Sequence, residues 1–251
     1  MISADKLRTL GLAIILAWGW KRAAIAVVAG ALSALAMAPF NAWPVLFLTF
    51  PLMVWLIDGA GAGRLRGVPA AATAGWWFGL GYFVPGLYWL GYAFLVDAPT
   101  FAWLMPFAVL GLPAYLALFT AAGFALARLI WTKGASRVIA LALSLTISEW
   151  LRGHVLTGFP WNLPAYGWAA STAVLQSTSL FGAYGLSLLT LLFGASLAVF
   201  SRGHDTRERL LPIAMFLFFV ALWADGEARL ATATDATVPG VRLRIVQPDT
   251  S

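Results

Sequence analysis

Glu149 and Arg152 stand three residues apart in SEWLRG (148–153), at the end of a strongly apolar run. On a helix, that spacing puts a carboxylate and a guanidinium on one face, within pairing reach. An ionisable group this deep in an apolar run is costly against lipid, so it faces a protein interior or a cavity. Two readings of the pair stand. It is a structural ion pair holding the next loop, or it touches a substrate. General acid or base work by Glu149 has less support, because no nucleophile lies near it in sequence.

The segment that follows, 153–168, contains His154, Phe159, Pro160, Trp161, Asn162, Pro164, Tyr166 and Trp168. Trp and Tyr favour a membrane–water interface, since each joins an apolar ring to one polar atom. Pro160 and Pro164 restrict the backbone. Asn162 can both donate and accept hydrogen bonds. Together these residues suit a rigid lip around a lipid headgroup. An aromatic belt with no binding role would look partly similar. A second aromatic group, Tyr82, Phe83, Tyr88, Trp89 and Tyr92, precedes Asp97. If the two groups meet, they flank one lateral opening for a lipid.

Other chemistry is poorly supplied. The chain has no cysteine, which excludes disulfides, thiolate metal sites and a cysteine nucleophile within it. Its two histidines, His154 and His204, lie in different loops and make no metal cluster. His204 sits in SRGHDTRER, which reads as a solvated charged loop. No GxGxxG, GKS/T or HExxH pattern occurs. No catalytic, cofactor-binding or metal-binding residue is therefore assigned.

The elements that must position Glu149 and the aromatic loop follow from composition. The 251 residues are 61% hydrophobic and 10% charged, with a mean hydropathy of +0.85. Soluble domains carry about 25% charged residues. This chain reads as a polytopic membrane protein, an all-α bundle of about seven transmembrane helices. A span needs roughly 20 apolar residues. The expected spans are 22–38, 43–57, 70–92, 101–131, 138–151, 173–200 and 210–223. Residues 1–21 read as a cytoplasmic or interfacial segment, 22–224 as the bundle, 225–240 as a periplasmic linker, and 241–251 as the start of another domain. In that last piece Val241, Leu243 and Ile245 alternate with Arg242 and Arg244, as in a β-strand.

The net charge is +6, but the cations sit in short links between apolar runs, not on a nucleic-acid face. With the N-terminus inside, twelve of the sixteen Lys and Arg residues face the cytoplasm. The opposite links are poor in them, which supports the span count and puts the C-terminal segment outside.

The order of these features resembles apolipoprotein N-acyltransferases. The resemblance rests on APFNAWP (38–44), GLYWLGY (86–92), SEWLRGHVLTGFPWN (148–162), FGAYGLSLL (181–189) and VRLRIVQPD (241–249). It implies seven spans, an outward-facing nitrilase-like α/β domain and a closing span. On that basis this chain is a fragment that ends after the first strand of the nitrilase-like domain. The implied reaction moves an acyl chain from a phospholipid, such as phosphatidylethanolamine, through a cysteine thioester. The acceptor is the N-terminal amine of a diacylglyceryl-modified apolipoprotein. The Glu, Lys and Cys of that chemistry would lie beyond Ser251, so the fragment alone is expected to be inactive. The implied setting is the bacterial inner membrane, with a monomeric protein, no cofactor and no nucleic-acid partner. Tyr88, Trp89, Glu149, Arg152, Phe159, Pro160, Trp161 and Asn162 are the expected substrate-binding or lipid-access residues. A lipid transporter and a non-catalytic membrane scaffold are the alternatives.

Overall fold

A computed structural model describes residues 4–61, 63, 65–156, 158–201, 207–234, 240, 242, 244 and 246. The described residues form helices and no strand. The expected strand at 241–247, and His204, fall largely or wholly outside them.

The longer helices are α1 (Ala4–Ile15), α2 (Gly19–Ala34), α3 (Leu46–Asp58), α4 (Val68–Gly86), α5 (Met105–Leu129), α6 (Ser136–Arg152), α7 (Thr178–Ser196) and α8 (Leu210–Thr232). Three stretches are long and apolar enough to cross a membrane: Ala98–Leu129, Thr178–Ser201 and Leu210–Thr232. A fourth qualifies if α4 and the 3-10 helix Tyr88–Leu95, bent from it by 47°, count as one span. The expected single span over 70–92 is thus broken. Pro85 and Gly86 sit at the break, where a proline removes a helix hydrogen bond and glycine tolerates the change of direction. The expected span at 173–200 is also interrupted. Gly182 leaves helical geometry at φ 66°, a region that glycine enters without a Cβ penalty. The last helix runs to Thr232, into the stretch read as a linker. Glu227, Ala228, Arg229 and Leu230 are good helix formers that carry it on.

Small residues set the packing. α4 lies between α2 and α5. A Cβ added at Gly81 would overlap the Val27 carbonyl, and one at Gly30 would overlap that of Phe78. On its other side, Gly75 and Gly79 meet Phe124, Thr120 and Ala117 of α5. Helices within lipid gain little from burying apolar surface, so close backbone approach at such residues supplies the van der Waals contact. Phe124, Leu141, Val54, Leu56 and Ile57 are among the fully buried side chains at the centre.

The bundle has two chemically different ends. At the basic end, Arg137 pairs with Asp58 at 3.3 Å, with both side chains buried. The Trp131 indole donates to Asp58 Oδ1 at 3.0 Å. Arg22 donates to the Leu56 carbonyl, and Arg128 to the Gly61 and Gly63 carbonyls. Arg22 thereby serves one of the last carbonyls of α3, which have no helical partner, and Arg128 serves those of the segment just after it. The other end carries the aromatic loop.

Candidate lipid-facing site

The site begins with the fourth and sixth helices. Helix α4 delivers Tyr82 and Phe83 on consecutive positions before its break, and α6 ends at Arg152. Between them lies the 158–163 loop. Asn162 has φ 45°, a left-handed conformation that asparagine tolerates better than most residues. This turn aims two consecutive carbonyls at two different helices. The Tyr82 hydroxyl donates to the Asn162 carbonyl at 2.8 Å. Arg152 Nη1 donates to the Trp161 carbonyl. Arg152 is buried, and its guanidinium lies over the Phe83 ring at 4.9 Å from the centroid.

Glu149 and Arg152 share a face, as their spacing requires, yet they form no direct ion pair. The ion-pair reading of the sequence is therefore corrected. The arginine is drawn instead to a loop carbonyl and an aromatic face, both of which satisfy a guanidinium without bringing the carboxylate along. Glu149 Oε2, Arg152 Nη2 and the Asn162 amide nitrogen Nδ2 are each buried without a hydrogen-bond partner. A cavity of about 30 Å³ lies beside Glu149, lined also by Tyr82, Thr120 and Pro164. Water needs about 10–15 Å³ of such space, plus polar partners, so this cavity is large enough for one. The Asn162 amide also sits against Gly86, where a Cβ would overlap it.

The two aromatic groups converge. Trp89 and Trp161 lie 6.1 Å apart between ring centroids, and Phe159 and Trp161 lie 4.5 Å apart. Phe159 and Trp89 remain exposed, while Pro160, Trp161 and Asn162 are half-buried. Tyr88, also an expected site residue, makes its ring contact outside this cluster. Its ring partner is Tyr92, at 6.2 Å, and it is about half exposed. His154 stacks on Trp150 at 4.4 Å and its Nδ1 contacts the Trp150 carbonyl, which places it at the end of α6.

Several supports were not singled out from sequence. Ser187 Oγ accepts from the Ala165 amide at 3.2 Å, and Thr190 Oγ1 accepts from the Trp168 indole at 2.9 Å. Their spacing of three in an apolar helix was the available signal, since it puts two hydroxyls on one face. Trp43 stacks on Trp168 at 4.6 Å, and Trp168 on Phe219 at 5.0 Å. Tyr184 lies beside Gly153, where a side chain would displace its hydroxyl. Partial burial pushes the Tyr166 phenol above its usual range, helped by Tyr184 and opposed by Arg152.

Polar and aromatic groups thus lie side by side at this end of the bundle. It offers two buried donors, one buried acceptor and exposed aromatic rings. Among the described residues, no group of three or more His, Cys, Asp and Glu side chains could hold a metal ion.

A family model described as the apolipoprotein N-acyltransferase N-terminal domain matches residues 29–196. A protein of Rhodopseudomonas palustris named apolipoprotein N-acyltransferase is 63% identical over 238 residues, 94% of this chain and 44% of the relative. One of Bradyrhizobium diazoefficiens with the same name is 58% identical over 251 residues, 99% of this chain and 47% of the relative. A third, from Brucella suis, is 45% identical over 240 residues. The chain spans about half the length of these curated relatives.

Proposed function

Because this chain belongs to the apolipoprotein N-acyltransferase family, we propose that it is the membrane part of an enzyme that acylates lipoproteins. The acyl donor is a phospholipid such as phosphatidylethanolamine. The acceptor is the N-terminal amine of a diacylglyceryl-modified apolipoprotein. In the first step a cysteine thiolate attacks the ester carbonyl of the donor, forming a thioester and releasing a lysophospholipid. In the second, the lipoprotein amine attacks the thioester, forming the amide and releasing the thiol. The residue that forms the thioester is not among these 251, which contain no cysteine.

The membrane part supplies proximity. Both substrates are anchored in the outer leaflet of the inner membrane, so a bundle that holds the chemistry at that surface removes most of the search through solution. Seven spans serve this role. Helices α2, α3 and α6 join the apolar stretches already described, with the N-terminus cytoplasmic and residues 225–251 periplasmic. α2 has 16 residues and α6 has 17. At 1.5 Å per residue they reach roughly 24–26 Å, short of a 30 Å hydrocarbon core unless the bilayer thins or flanking residues extend the crossing.

The observation that carries the site assignment is the docking of the Trp161–Asn162 backbone onto two helices, with aromatic rings left open beside it. We assign Trp161, Phe159 and Trp89 to acyl-chain entry. Asn162, Arg152 and Glu149 form the polar rim. The test uses the full-length enzyme in phospholipid nanodiscs. Trp161→Phe and Asn162→Gly leave the backbone able to adopt its turn. Each should slow thioester formation from phosphatidylethanolamine by about 2- to 10-fold, the scale of one aromatic contact or hydrogen bond. Alkylation of the catalytic thiol by a small reagent should stay unchanged. Unchanged acyl-enzyme rates in both variants would remove these residues from donor entry.

A further inference from the structure

We propose that a crevice at the basic end of the bundle binds an anionic phospholipid of the cytoplasmic leaflet, separate from the donor site at the aromatic end. The backbones of α2 and α4 touch in mid-helix at Gly30 and Gly81. Toward their first turns a cavity of about 590 Å³ opens between them. Its walls include Ala23, Ala70 and Trp77, with Trp20, Arg22 and Thr73 also on the lining. The volume falls within the range of ligand pockets, and the apolar walls suit an acyl chain.

The rim selects the headgroup. Arg22 is held in place by its bond to the Leu56 carbonyl, while its Nε has no partner in the protein. Lys21 beside it is exposed. Arg128 also serves carbonyls of the 61–63 segment. Asp58, the nearby carboxylate, is already committed to Arg137 and Trp131. The rim thus carries positive charge from Arg22 and Lys21. Trp20 is 76% exposed beside it, as an interfacial anchor is. A cationic rim above an apolar wedge between helices matches a phosphate joined to acyl chains. Free phosphate would use the rim and leave the wedge empty.

The test is native mass spectrometry of the full-length protein, titrated in detergent with phosphatidylglycerol or phosphatidylethanolamine of the same chains. Arg22→Gln should lower the apparent affinity for phosphatidylglycerol about fivefold, the worth of one cation at a membrane surface. Arg22→Lys should restore most of it. Ala70→Trp fills the crevice from a partly buried position while keeping the arginine in the sequence, and should lower phosphatidylglycerol retention at least as far. Phosphatidylethanolamine retention should stay unchanged in all three, because the donor site lies at the other end. Unchanged phosphatidylglycerol retention in Ala70→Trp overturns the assignment. So does parallel loss of both lipids, or displacement of the bound lipid by inorganic phosphate.

Discussion

Tyr82→Phe deletes one oxygen from the tie between α4 and the 158–163 loop. The hydroxyl donates to the Asn162 carbonyl at 2.8 Å, and Tyr82 is only 8% exposed. The substitution leaves the ring in place, so packing against Phe83, 5.2 Å away, is kept. What changes is that the Asn162 carbonyl loses its side-chain donor in a confined position. Leaving such a group unsatisfied costs about 1–3 kcal/mol. Docked and undocked forms of the loop therefore shift by roughly 5- to 150-fold relative to each other. The second tie, from Arg152 to the neighbouring Trp161 carbonyl, limits the change to the loop. Adjacent carbonyls on one turn are not independent, so the effects of removing both donors should not add.

Hydrogen–deuterium exchange on the full-length protein in nanodiscs reads this directly. Amides of the 158–163 loop should exchange faster in Tyr82→Phe, by a factor within that range, while those of α5 stay at the wild-type rate. Thioester formation from phosphatidylethanolamine should slow in the same variant. If the loop exchanges at the wild-type rate, the hydroxyl is not what holds it, and the two-tie account of the site is wrong.

Two further outcomes concern the bundle itself. Asp58→Asn keeps an acceptor for the Trp131 indole but removes the carboxylate charge that faces the buried Arg137 guanidinium. It should cost about 3–5 kcal/mol, whereas the joint replacement Asp58→Leu with Arg137→Met should cost much less. Thermal unfolding in detergent separates the two, and equal losses would show that the pair's charge is irrelevant. Gly81→Ala pushes a methyl group into the Val27 carbonyl. It should destabilise by about 1–3 kcal/mol, whereas Gly111→Ala, with open space around it, should be neutral or slightly stabilising by the same assay.

The helices were legible because apolar length and short basic links are strong signals. The all-helical character of the described residues agrees with that reading, while three stretches, or four with the bent pair, are long and apolar enough to cross a membrane. The break after α4 was less legible. GLGYFVPG looks continuous by hydropathy, and only Pro85 hints that Tyr88–Leu95 turns by 47°. The meeting of the two aromatic groups at Trp89 and Trp161 was anticipated, and the Glu149–Arg152 ion pair was not formed. Spacing put Glu149 and Arg152 on one face, but it could not show that Arg152 would prefer the Trp161 carbonyl and the Phe83 ring. Those partners come from a loop and a different helix, and no local pattern encodes the choice. The same holds for Ser187 and Thr190, whose hydroxyls look like ordinary helix residues until Ala165 and Trp168 arrive to use them.

Asn162 explains why the loop can be both fixed and open. In a regular turn, successive carbonyls point in related directions and one neighbouring element can satisfy both. At φ 45° the chain reverses locally, so the Trp161 carbonyl reaches α6 while the Asn162 carbonyl reaches α4. The backbone is thereby tied to two helices without using the ring of Phe159, while the Trp161 indole packs partly against the core. Phe159 is left exposed beside Trp161, which in turn lies beside the exposed Trp89. Pro160 and Pro164 restrict the chain on either side, which lowers the entropy lost when the turn docks. A lip built in this way presents aromatic surface at fixed positions. On the proposed reading, an acyl chain meeting it need not order the loop first, so less of its binding free energy is spent on that ordering.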